Sequence, residues 1–412
     1  MTFTYQRLSL MMFLQFFVWG SWFVTMGSFL AANIGATGVQ TGMAFSTQSW
    51  GAIIAPFIVG YVADRYVNAE KLLGLLHLIG AVLMYQLYQA ESFSAFYPIL
   101  LGYMICYMPT LALVNSISFR QLDDIAAGFA RVRVWGTVGW ICAGLAISFV
   151  FAWDSQVSVQ EGLLRNTFLM ASVVSLALGL FSFLLPPTPP MAGASSGVSL
   201  ANVLGLRALA LLKDKSFAIF FLMSVLICIP LAFYYQYASP FLLEVGVENA
   251  TGKMTIGQVS EVLFMLLLPL FLSRYGIKFT LLVGMVAWVF RYLLFAFGSP
   301  DGFALALILG IALHGVCYDF FFVAGQIYAD SKAEEAFRSS VQGLITLATY
   351  GAGMLIGFST AGFIADQFAG QGVERWESIW MLPALFALCV AIVFSVSFKD
   401  RMNSVSDDKV VS

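Results

Sequence analysis

The stretch Leu313-His314-Gly315-Val316-Cys317-Tyr318-Asp319-Phe320-Phe321-Phe322-Val323-Ala324-Gly325-Gln326 decides how this chain is read. It lies inside an apolar segment running from about 303 to 328, long enough to cross a bilayer as a helix. Asp319 therefore belongs at hydrocarbon depth, where an ionised carboxylate is costly unless it faces a partner or a wet cavity. Two readings are open for such a group. It is either half of a structural ion pair between helices, or a carboxylate that couples protons or touches a substrate.

The rest of the chain puts that segment in company. Hydrophobic residues make up 60% of the sequence and charged residues only 10%, a balance that belongs to all-α polytopic membrane proteins rather than soluble domains. Twenty basic and 22 acidic side chains nearly cancel, so nothing points to a nucleic-acid partner. The five cysteines, Cys106, Cys142, Cys228, Cys317 and Cys389, all fall in apolar runs without metal-ligand spacing and read as small buried hydrophobes. No metal or cofactor is expected. The amino terminus has one basic residue before a long apolar run and no small-residue cleavage site, so it reads as a retained first span.

Apolar runs of membrane-crossing length number twelve, near 9–31, 41–62, 71–90, 95–117, 133–152, 163–185, 216–238, 255–273, 278–297, 303–328, 339–362 and 376–398. A Pro-, Gly- and Ser-rich segment, 186–215, divides them six and six. The expected organisation is an amino-terminal six-helix bundle (1–185), a cytoplasmic linker (186–215) and a carboxy-terminal six-helix bundle (216–412). With both termini placed in the cytoplasm, 15 Lys and Arg residues fall on the inner side against three (Arg165, Lys253 and Arg375) on the outer, which fixes the orientation by the positive-inside rule. The halves also echo one another. Gly60-Tyr-Val-Ala-Asp64-Arg65-Tyr66 matches Leu272-Ser-Arg274-Tyr275-Gly-Ile-Lys278 at an offset of about 209, and Arg131-Val-Arg133-Val-Trp-Gly136 matches Arg338-Ser-Ser-Val-Gln-Gly343 at 207. Two echoes at nearly one offset suggest an ancient six-helix duplication.

The remaining polar residues within spans are candidates for chemistry. Gln258 and Glu261, three apart, share one helix face and together offer donors and acceptors suited to sugar hydroxyls or base edges. Arg291 is matched to Glu261 in depth, each about six residues from the outer boundary, so a structural Glu261–Arg291 pair competes with a substrate role for Glu261. His314 stands four residues before Asp319, on nearly the same face, and could relay its proton; His77 reads as a packing residue. Trp19, Trp22, Trp135, Trp140, Tyr234, Tyr235 and Tyr318 are plausible walls for a flat ring. Arg133 is ambiguous by hydropathy and could equally snorkel at the inner interface.

Twelve spans, a central inner loop and a G-x-x-x-D-R turn between spans two and three resemble the major facilitator superfamily. The segments Phe16-Phe-Val-Trp-Gly-Ser-Trp22, Tyr107-Met-Pro-Thr-Leu-Ala-Leu-Val-Asn115, Arg133-Val-Trp-Gly-Thr137, Gln258-Val-Ser-Glu261, Leu272 to Lys278 and Tyr318-Asp319-Phe320 resemble the signatures of its nucleoside:proton symporter family. The resemblance implies twelve transmembrane helices in two pseudo-symmetric six-helix bundles, the major facilitator fold. It implies substrate contacts for Arg133 and Thr137, with Trp140 as a stacking surface, and for Gln258, Glu261, His314, Tyr318 and Asp319. Proton coupling would fall to Asp319, with Glu261, and gating at the inner mouth to Asp64 and Arg65. In span seven, family members with nucleoside transport carry a glutamine and an asparagine three apart, where this chain has Ala232 and Tyr235. Substrate choice is open on that account, with Tyr235 or Gln236 as compensating groups.

The expectation is a proton-driven importer of nucleosides in a bacterial inner membrane, working by alternating access as a monomer among membrane lipids, with the proton gradient as its energy source. A symporter for another hydroxylated solute such as a glycoside, and a drug-exporting antiporter, are the alternatives within transport. An enzyme is not expected, since no span holds paired His ligands, a nucleophile with a base, or a phosphate-cradling glycine loop. Nor is a sensor, since no soluble signalling domain is left over.

Overall fold

The computed structural model describes residues 3–58, 66–122, 125–190, 206–333 and 338–399. Asp64 and Arg65, the expected gating pair, lie outside the described residues, as does the centre of the linker, 191–205.

Among the described residues, nine helices are long and apolar enough to cross a membrane. One of them, Ala250–Phe297, breaks at Gly276, whose φ of 75° is a conformation only glycine adopts cheaply. It is therefore two spans, α8 (250–275) and α9 (277–297). Helices α1 (Phe3–Gly20) and α2 (Gly38–Ile58) complete a set of twelve. Their hydropathy is diluted by Gln15, Thr41, Ser46, Thr47 and Gln48, all buried against other helices. The others are α3 (Ala69–Gln89), α4 (Phe93–Gln121), α5 (Ile125–Leu145), α6 (Asn166–Ser182), α7 (Lys215–Glu244), α10 (Ala304–Lys332), α11 (Val341–Gln367) and α12 (Arg375–Ser397).

Several helices outrun the hydropathy that announced them. α5 starts at Ile125 rather than 133, and α7 ends at Glu244 rather than 238. Hydropathy marks only the hydrocarbon, whereas backbone hydrogen bonding continues into the polar interface. The early start of α5 puts Arg133 two turns inside a helix, not at its mouth.

Helices α1–α6 pack chiefly on one another, as do α7–α12: α1 lies on α5, α2 on α4 and α3 on α6, while α7 lies on α11 and α12, and α8 with α9 on α10 and α12. The halves meet mainly through α2 with α11 and α5 with α8.

Among the described residues, several polar links join the halves at one end. The N–H groups of Gly38 and Val39, opening α2, donate to the two carboxylate oxygens of Asp366 on α11 at 2.5 and 2.9 Å. In the opposite sense, Thr251 N–H, opening α8, donates to Asp154 beyond α5 at 2.9 Å. Gly252 N–H donates to Ser148 Oγ at 2.7 Å, and that hydroxyl donates in turn to Asp154 at 2.6 Å. Each carboxylate thus caps the amino terminus of a helix from the other half, where free N–H groups and the helix dipole favour negative charge. Gly38 to Ala250 and Asp154 to Asp366 are both separations of 212 residues, so the two caps are images of one another under the duplication. Ser28 and Ser239, hydroxyl to hydroxyl at 2.8 Å, join the halves at the same end.

Candidate functional site

Between the halves lies a cavity of about 710 Å³, within the range that holds a small organic ligand. Its lining runs from Tyr235 and Thr251, beside the capped end, to Ala55 and Asn115 toward the opposite end.

The amino-terminal wall is built by α1 and α5. Their close packing lays the Arg133 guanidinium 4.1 Å from the centre of the Phe16 ring, which holds a long side chain against an apolar face while its N–H groups stay available. One and two turns on, Thr137 and Trp140 line the same cavity, and Trp140 meets Trp19 edge to face at 5.6 Å. Trp135 points the other way and is 43% exposed on the outer surface, and Trp22 is fully buried behind the wall. Of the expected tryptophan walls, only Trp19 and Trp140 therefore face the cavity.

The carboxy-terminal wall depends on a close contact between α8 and α10. A side chain at Gly315 would begin 2.5 Å from the Ser260 backbone oxygen, so only glycine fits there. Ser260 stitches the contact, its hydroxyl donating to the Ala312 carbonyl and accepting from Gly315 N–H. Gln258 and Glu261, flanking Ser260, line the cavity beside His314 and Tyr318. Tyr235 of α7 lines it too and meets Phe23 of the other half at 5.6 Å. Tyr350, on a π-helical turn within α11 (Leu347–Gly353), shares a hydrogen bond of 2.8 Å with Tyr318. Nothing in the sequence singled Tyr350 out except its being a tyrosine within a span.

Eight expected contact residues thus converge: Arg133, Thr137, Trp140, Tyr235, Gln258, Glu261, His314 and Tyr318 all line one cavity. Two do not. Gln236 is fully buried and donates to the Phe358 carbonyl at 3.1 Å, tying α7 to α11; at 100° per residue it turns away from the face that carries Tyr235. Asp319 is also 0% exposed and off the lining, and its two oxygens have no hydrogen-bond partner among the described residues. It opens a π-helical turn, Asp319–Val323, a local irregularity frequent at functional positions. Ala232 is buried too, packed where Gly357 approaches α7, so that position has no room for a larger side chain aimed at ligand.

The Glu261–Arg291 pair that competes with a substrate role for Glu261 is absent among the described residues. Equal depth was not enough, because the two side chains leave their helices in different directions. Arg133, from the other half, lines the same cavity as Glu261, and Arg291 does not. Arg291 lies fully buried behind the wall and donates from Nη1 to Nδ1 of His314 at 3.0 Å. No hydrogen bond joins His314 to Asp319 among the described residues, so a proton relay between them is not formed in this state. His77 packs within the amino-terminal half, bonded to Gln15 at 2.8 Å and Ser175 at 3.0 Å.

Residues 1–403 match the sequence profile of the family described as Nucleoside H+ symporter. The chain belongs to this family. The symporter is 41% identical over 99% of its length, and 96% of the relative's, to YegT of Escherichia coli K12, a transporter provisionally named for nucleosides. It is 35% identical to the Xanthosine permease of the same organism over 95% of each chain. Its fold matches the crystal structure of the nucleoside transporter NupG, solved as an aspartate-to-alanine mutant, with a TM-score of 0.88 at 32% identity over 96% of this chain and 100% of that one. The symporter is thus a multi-pass membrane transporter of the major facilitator fold, as its sequence implied, and not an enzyme.

Proposed function

We propose that the protein imports nucleosides together with protons across a bacterial inner membrane by alternating access, as a monomer, with the proton gradient as its only energy source. One observation carries this reading. In a chain of the nucleoside symporter family, Arg133 and Thr137 of one half stand across a single cavity from Gln258 and Glu261 of the other. A ligand with hydroxyls on one side and a flat ring on the other can use both polar faces while stacking on Trp140 or Tyr235. Closing the halves around it then becomes favourable only when both faces are engaged.

With both termini in the cytoplasm, as the basic loops support, the capped end is the periplasmic one. The end that the caps hold shut is then the outer one. Asp319, buried without donors, is the proton-linked group of this proposal, because a site that disfavours charge ties protonation to conformation. Glu261, facing the cavity, is its partner in coupling. Asp64 and Arg65 are assigned to the inner gate.

The test is uptake of radiolabelled uridine into proteoliposomes with and without an imposed pH gradient, alkaline inside. Gradient-dependent accumulation that unlabelled adenosine competes away is the expected result. Competition by glycosides or by dyes, with nucleosides inert, would move the assignment to another hydroxylated solute or to drug export. Binding without flux would make the protein a sensor.

A further inference from the structure

We infer that His314 is held as a hydrogen-bond donor to an acceptor oxygen of the ligand, and that Arg291 is the residue that fixes it in that role from behind the cavity wall. Arg291 Nη1 and His314 Nδ1 are 3.0 Å apart. A guanidinium carries only donors, so Nδ1 is the accepting, unprotonated nitrogen, and the ring proton sits on Nε2. The ring is also clamped in place. It stacks on Tyr234 with centroids 5.5 Å and planes 23° apart, and the Arg291 guanidinium lies 3.4 Å from the centre of the same tyrosine. The rings of Trp288 and Phe295 lie 5.4 and 5.9 Å from the same guanidinium.

Turning or charging the imidazole would break the bond to Nδ1 and, in the second case, bring two cations together inside an aromatic box. Among the described residues Arg291 forms no ion pair, and its Nε and Nη2 have no hydrogen-bond partner; besides His314, its polar neighbours are the Tyr234 hydroxyl and the Cys317 thiol. His314 lines the cavity, and what it presents there is the Nε2–H. The carboxy-terminal wall therefore sets opposite polarities side by side: Glu261 accepts from a ligand hydroxyl, and His314 donates to a ligand oxygen, whether a nucleobase carbonyl or a ribose oxygen. In this arrangement His314 sets specificity and Arg291 is a positioning residue. Only the choice of ligand rests on the nucleoside reading.

The chain has two histidines, His77 and His314, so nitrogen-15 histidine labelling of the full-length protein gives two imidazole patterns, assigned with a His77→Gln variant. The expected pattern for His314 is a bare Nδ1 and a protonated Nε2. Arg291→Lys, which keeps a donor, preserves it, and Arg291→Met gives a mixture of tautomers. A protonated Nδ1 in the unmutated protein overturns the inference, and this arm needs no ligand. The second arm is calorimetric binding of uridine and of its 4-deoxo, 2′-deoxy and 3′-deoxy analogues. His314→Ala is expected to weaken uridine roughly tenfold and to leave one analogue unaffected, which identifies the oxygen. His314→Gln, which restores an N–H, recovers the discrimination. Unchanged affinity of His314→Ala for uridine would end the donor role. Failure of the unmutated protein to bind any nucleoside would end the nucleoside reading instead, with the spectra still deciding this one.

Discussion

Arg133 and Glu261 reach the same cavity from opposite halves of the molecule, and each is held there by its own neighbours, Arg133 by the Phe16 ring and Glu261 by the α8–α10 contact. Removing one charged hydrogen-bonding partner costs about 1.5–3 kcal/mol. Arg133→Ala is therefore expected to raise the KM for nucleoside uptake roughly 10- to 150-fold with protein abundance unchanged. A KM within a factor of two of the unmutated value would remove Arg133 from the binding face. Asp319 predicts a different signature, because it does not line this cavity. Asp319→Asn keeps the shape and cannot ionise, so accumulation against a gradient is expected to fall to the level of empty vesicles while exchange of labelled for unlabelled nucleoside persists. Equal uphill uptake in mutant and parent would take Asp319 out of the coupling role. That a carboxylate in this span needed explaining was legible from the sequence; that it sits behind the wall was not, because a helical wheel shows which residues share a face but not where that face points.

At the scale of elements, the two carboxylate caps are the main polar links that hold the halves together at one end. Asp366 caps α2 and Asp154 caps α8, each from the opposite half. Neutralising such a cap is worth about 1 kcal/mol, so Asp366→Asn and Asp154→Asn should each shift the population toward the outward-open state roughly fivefold, and the double variant by about the product. The measurement is labelling of a cysteine placed at Thr255, which the closed end shields. No gain in labelling from the outside in the double variant would show that apolar packing, such as Phe23 on Tyr235, keeps this end shut without the caps. By contrast, the Arg375–Glu244 pair at 2.6 Å is partly exposed on both sides, and Glu244→Gln should change stability by less than about 1 kcal/mol in thermal melts. Neither aspartate cap was marked in the sequence, where each is one of 22 acidic residues. Their common separation of 212 residues becomes a signal only once the helix starts they cap are known.

For the whole molecule, alternating access requires the end joined through Ser28 and Ser239 to part in each cycle. With the five native cysteines replaced, Ser28→Cys and Ser239→Cys should cross-link under mild oxidation, since their side-chain oxygens are only 2.8 Å apart. Uptake should stop on oxidation and return with reductant. Full uptake by the cross-linked protein would mean that these two helices do not separate and that the rocking motion is wrongly drawn.

The sequence by itself determined the membrane class, the twelve helices, the family, and eight of the residues that line the cavity. The class and the helices are written in hydropathy, which a bilayer reads one segment at a time; the family and most of the cavity residues are legible through the motifs that resemble the nucleoside symporters. Only the tertiary structure decided which way polar side chains at equal depth point. It turned Gln236 into a tie between helices, set Asp319 behind the wall, and gave Arg291 to His314 instead of to Glu261. Depth follows from counting residues along one helix, but azimuth depends on how each helix is rotated against its neighbours. That rotation is fixed by contacts such as Gly315 on Ser260, between residues 55 positions apart in the chain.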